Sequence, residues 1–103
     1  MDVYDDIKAH YQDDARVEVN HGKGAQGIKL LVKGKPKMFV MFSKGSLLVQ
    51  SSADHVDQLI KQGIGQEYDP GTGKIMPDRV LISAQFKDRW VNIVEDAISQ
   101  LQP

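Results

Sequence analysis

Residues 28–50, IKLLVKGKPKMFVMFSKGSLLVQ, leave the chain little choice of secondary structure. Three apolar runs, rich in β-branched, leucine, methionine and phenylalanine side chains, are separated by Gly34-Lys35-Pro36-Lys37 and by Ser43-Lys44-Gly45. Glycine supplies backbone angles that other residues avoid, and proline presets the first corner of a turn, so both interruptions read as tight turns. Runs of this length are too short for helices between such breaks, and three adjacent strands joined by short turns pair antiparallel. A meander is therefore the frame around which the remaining residues must be arranged.

Upstream, RVEVN alternates Val17 and Val19 with polar neighbours, which predicts a further strand with one buried face. Between it and the meander lies HGKGAQG, a glycine-rich loop. Before it, Val3, Tyr4, Ile7 and Tyr11 recur at helical spacing, predicting an amphipathic helix over residues 3–13 with acids at its positive end.

After the meander the period changes. Val56, Leu59 and Ile60 share a helical face, Ser51 and Asp54 have capping-box spacing, and Gly63 is placed to stop the helix. Residues 65–77 read as a loop, RVLIS as a fifth strand, and Phe86, Trp90, Val91, Val94, Ala97, Ile98 and Leu101 as the apolar stripe of a helix over 85–100. On such a stripe Trp90 is a core anchor rather than a ligand platform. The expected fold is α+β: an antiparallel sheet of about five strands, with an N-terminal helix and two later helices packed on one face.

The 103 residues suit one domain spanning the chain. Without cysteine, the chain forms no disulfide, thiolate metal site or cysteine nucleophile. The acidic N-terminus lacks the pattern of a secretory signal, and no apolar run has bilayer-spanning length, so a cytoplasmic protein is expected, with no membrane partner.

The loop sequence DPGTGK resembles the end of a phosphate-binding loop, whose pattern is Gly-x-x-x-x-Gly-Lys-[Ser/Thr]. Counting back from Gly73 and Lys74 puts Tyr68 where the first glycine belongs, and Ile75 replaces the magnesium-binding hydroxyl. The motif also sits between a helix and a strand, whereas a phosphate loop leads from strand to helix. Nucleotide binding is not expected there.

Other chemistry is sparse. His10, Asp13 and Asp14 are close in sequence, but a dedicated zinc site wants more nitrogen or sulfur ligands, and no metal or other cofactor is expected. Ser43, Ser46, Ser51, Ser52 and Ser83 all have turn, cap or strand roles, and His21 lacks an evident catalytic partner. The chain reads as a non-enzyme.

Charge is distributed more tellingly than its net value of −1 suggests. Residues 19–53 contain no acid and six lysines. Of these, Lys29, Lys33, Lys35, Lys37 and Lys44 lie on or beside the meander, a ridge that suits phosphates. The ridge lacks arginine, and exposed lysines also serve to keep sheet edges from pairing. A second candidate surface is apolar. Both faces of the central strands carry hydrophobic residues while only one is needed for the core, which makes Leu31, Phe39 and Met41 candidates for a protein interface.

The stretch KGKPKMFVMFSKGSLLVQSSADHVDQLIKQG resembles the TfoX N-terminal domain and the related YjbR-like domains. There too a short turn leads into a Met-Phe strand, followed by a small turn, a leucine-rich strand and a helix. The downstream GKIM, strand and tryptophan-containing helix keep the family's order, so the resemblance covers roughly residues 3–101. Two departures stand out: His21-Gly22-Lys23-Gly24-Ala25-Gln26-Gly27 replaces the family's arginine, methionine, phenylalanine and paired-glycine stretch, and Gln50 stands where relatives tend to carry lysine. The resemblance implies a regulatory module linked to competence and transcription, or to DNA contact, and brings no catalytic residue set. The function expected from residues and resemblance together is a small binding or regulatory module acting through a protein partner or self-association. A nucleic-acid-binding accessory using the lysine ridge is the alternative.

Overall fold

The apolar runs of the central strands form a sheet because strand pairing satisfies their backbone N–H and C=O groups while one whole face is taken out of water. The computed structural model describes residues 3–20, 26–32 and 35–101, with the backbone alone at Asn20, Val32 and Lys35. Among the described residues there are six strands: β1 Val17–Asn20, β2 Gly27–Val32, β3 Lys35–Ser43, β4 Ser46–Gln50, β5 Gly65–Glu67 and β6 Arg79–Ile82. They pair antiparallel in the order β1-β2-β3-β4-β6-β5. The first four form the expected meander. β5, three residues with the composition Gly-Gln-Glu, is an addition that the loop reading of 65–77 did not foresee.

The register runs a single row through the core: Ile28, Val40, Val49 and Val80 stand opposite one another on successive strands, and each is fully buried. Leu47 and Ile82 make a parallel row beside it, also fully buried. Three helices cover this face: α1 Asp5–Tyr11, α2 Ala53–Lys61 and α3 Trp90–Leu101, the last preceded by a 3₁₀ segment, Ala84–Arg89. The terminal helix expected over 85–100 is thus divided, and Phe86 (φ −108°, ψ 22°) kinks the 3₁₀ segment itself with non-helical angles. Trp90 is the anchor that its spacing predicts, 2 % exposed, and its ring stacks on Tyr4 at 5.7 Å while Tyr4 stacks on Phe42 at 4.4 Å.

α2 starts one residue later than the capping-box spacing implies. Ser52 is the cap, its hydroxyl accepting from the His55 N–H at 3.1 Å, and Ser51 is left for another role. The helix ends in a Schellman turn, with the Gly63 N–H donating to Ile60 O and the Ile64 N–H to Leu59 O. Gly63 has φ +77°, which is why glycine occupies it.

Candidate binding surface

Two constellations that sequence spacing makes tempting are structural. Ser51 Oγ lies 2.6 Å from His55 Nδ1, a nucleophile-and-base pairing on its face, but Ser51 is 2 % exposed and no substrate reaches it. Burial pushes the His55 pKa down, partly opposed by the Asp96 charge, so the neutral ring is favoured and the pair ties the end of β4 to α2. At the end of α1, the Asp14 carboxylate is occupied by Arg16 through bonds of 2.6 and 3.0 Å, and His10 lies edge-on to Tyr11. Arg16 also reaches Glu95 on α3 at 2.8 and 3.2 Å, and Glu95 accepts the hydroxyl of the fully buried Tyr11 at 2.7 Å. The hydrogen bonds from Arg16 hold the carboxyl of Asp14 down to about 2 and that of Glu95 below its ordinary value, while burial pushes the Tyr11 hydroxyl far up. The network is a clasp between helices.

The DPGTGK loop explains itself. Asp69 Oδ1 accepts from the backbone N–H groups of Gly71, Thr72 and Gly73 at 2.8, 3.1 and 3.3 Å. Those amides form the kind of concavity that cradles a phosphate oxygen, and the chain's own carboxylate already fills it. With φ of +105° and +82°, Gly71 and Gly73 allow the chain to fold round that oxygen.

The face of the sheet opposite the helices is a different matter. Met41, Leu48 and Leu81 stand in one row across β3, β4 and β6, offset by one residue from the buried valine row and therefore pointing the other way. Leu48 is 5 % exposed yet lies outside the helix-covered core, shielded by its neighbours on this face; Met41 is 37 % exposed, and Leu81 is half-buried. Met38 extends the patch over β2, where Gly27 makes room for it: a Cβ there would come within 2.9 Å of Met38 Sδ and collide with Val40 O. Leu31, half-buried, shares the face farther along β2. Met38, Phe39, Met41, Leu48, Gln50 and Arg79 line a depression of ≈ 130 Å³, small for an organic ligand. Its polar rim is knitted by Asp78, which accepts from Gln50 at 3.4 Å and pairs with Arg79 at 3.9 Å.

Of the three expected interface residues, Leu31 and Met41 present side chains on this face, whereas Phe39 borders its depression but is buried. Ile28 pairs with Val40 but Lys29 with Met38, so Phe39 is the extra residue of a β-bulge. The bulge breaks the alternation on which its exposure was expected, and Phe39 joins the core at 2 % exposure.

Among the described residues, three lysines of the expected ridge can be placed: Lys29, Lys37 and Lys44. Lys29 lies on the open face, opposite Glu18 in register, whereas Lys37 stands opposite Leu30 and so faces the other way. Lys44 occupies the β3–β4 turn with φ +50°, seven residues along from Lys37 and so about 23 Å away at the usual strand rise. Lys33, the side chain of Lys35, and His21 with most of its glycine loop lie outside the described residues. Comparisons with protein-family models, curated proteins and solved structures found no match.

Proposed function

We propose that this chain is a small non-enzymatic binding or regulatory module, of TfoX N-terminal or YjbR-like kinship, that acts through a protein partner or by self-association. The observation that carries this reading is the helix-free sheet face, where Met38, Met41 and Leu81 surround a buried Leu48. A contiguous apolar patch on a β-sheet costs the free protein unfavourable hydration that a partner would relieve. Methionines suit such a role, because their flexible thioethers adapt to more than one opposing surface. The cysteine-free composition fits a reducing cytoplasm.

The test is amide-resolved NMR over a dilution series, paired with light scattering. Self-association through this face moves the amides of Met38, Met41 and Leu81 with concentration, and Met41→Lys abolishes the movement while changing unfolding free energy by less than about 0.5 kcal/mol. A chain that stays monomeric at millimolar concentration leaves only a different protein as occupant. Shifts at Lys29 and Lys37 on adding duplex DNA, fading as salt is raised, would transfer the reading to nucleic-acid binding.

A further inference from the structure

Among the described residues, a second exposed large hydrophobic side chain, Ile75 at 53 %, lies away from the open sheet face, on the loop between β5 and β6. It forms one wall of a groove of ≈ 400 Å³ whose other apolar lining includes Val56 and Ile60 on α2 and Met76 and Pro77 on the loop. The groove's charged lining is entirely acidic: Asp54 and Asp57 on α2, and Glu67 on β5. Asp57 is paired with Lys61 at 2.9 Å, but among the described residues no cation pairs with Asp54 or Glu67.

Nor is Ile75 exposed for want of a fixed conformation. The loop that carries it is tied by the Asp69 carboxylate at its tip, by the Met76 N–H donating to Tyr68 O at 2.9 Å, and by Arg79, whose N–H donates to Met76 O at 3.3 Å. An unanchored loop would let the side chain fold back onto α2; this one holds it out. Presenting an apolar side chain in one conformation lowers the entropy lost when a partner covers it.

We propose that this groove is a docking site for a polypeptide segment that carries apolar side chains flanked by lysine or arginine. Apolar anchors would sit between Ile60 and Ile75, and the flanking cations would meet Asp54 and Glu67. The carboxylates repel nucleic acid and acidic peptides, so charge selects the occupant while the apolar walls supply affinity. The site is independent of the sheet face, and either surface can fail without the other.

The experiment titrates the full chain, followed by amide NMR, with a capped hexapeptide of two leucines flanked by lysines and with the same peptide carrying glutamates instead. The lysine peptide is expected to shift the amides of Ile60, Glu67, Ile75 and Met76. Asp54→Asn and Glu67→Gln should each weaken it by roughly threefold, as rim charges do, and Ile75→Ser should abolish it without moving the thermal midpoint. Equal response to both peptides, no response at millimolar peptide, or shifts at these amides on simple dilution, which would make a second copy the occupant, each overturn the proposal.

Discussion

The two faces of this sheet are built from the same strands, one residue out of step, and they have opposite fates. Val40, Val49 and Val80 are fully buried under the helices, while their immediate neighbours Met41, Leu48 and Leu81 look outward. The covered row uses compact β-branched side chains that fill a fixed space, whereas the open row uses methionine and leucine, longer and less particular about what they touch. Hydrophobicity alone therefore does not distinguish core from surface here; the helices do, by choosing the face on which Tyr4, Leu59 and Trp90 meet the strands.

The comparison is tested most forcefully by shortening adjacent side chains on β6. Ile82→Ala, on the covered face, should cost about 2–5 kcal/mol in urea unfolding because the cavity cannot collapse. Leu81→Ala, half-buried on the open face, should cost about 1 kcal/mol or less. Equal losses would mean that the open face is as tightly sealed as the core. A loss between these two is expected at Gly27, where Met38 of the open face and the Val40 carbonyl both press on the missing Cβ. Gly27→Ala should destabilise by about 1–3 kcal/mol through overpacking, and a neutral result would show that β2 and β3 can slide apart there.

The smallest effect concerns the helical cover itself, which Asp14 and Glu95 clasp through Arg16. In the folded protein Arg16 holds Asp14 down to about 2 from an ordinary 3.8, and depresses Glu95 from 4.5. A carboxyl with a lowered folded pKa binds its proton more readily when unfolded, so the clasp's contribution is complete above pH 4.5 and fades as pH falls toward 2. The thermal midpoint should decline over that window, modestly because the groups are partly exposed, and the decline should flatten in Arg16→Ala. An unchanged slope in the variant would remove the clasp from the account.

Much of the fold was legible because its signals are local. The Lys44-Gly45 turn separates β3 from β4 as expected, whereas Lys35, Pro36 and Lys37, which read as turn residues, belong to β3; Val56, Leu59 and Ile60 with Gly63 define α2 and its stop. What escaped depends on distant parts of the chain. β5 has no apolar pattern of its own and becomes a strand through β6, in close contact where a Gly65 Cβ would lie 3.2 Å from Leu59 Cβ and clash with Val80. Spacing cannot choose between adjacent serines, so the cap moved from Ser51 to Ser52, and it cannot see the bulge that turns Phe39 into the core. The open face was foreseeable from Leu31 and Met41; the groove was not, since Ile60 and Ile75 meet only once the loop is folded.

Asp69 also sets how this loop responds to its surroundings. A carboxylate tethered two to four residues from its three donors acts at an effective concentration that free anions do not match, so the loop should ignore phosphate in solution. Asp69→Gly, a single-nucleotide change, would leave the same three N–H groups converging on open space. The difference between a self-contained turn and an anion receptor is, in evolutionary terms, one side chain.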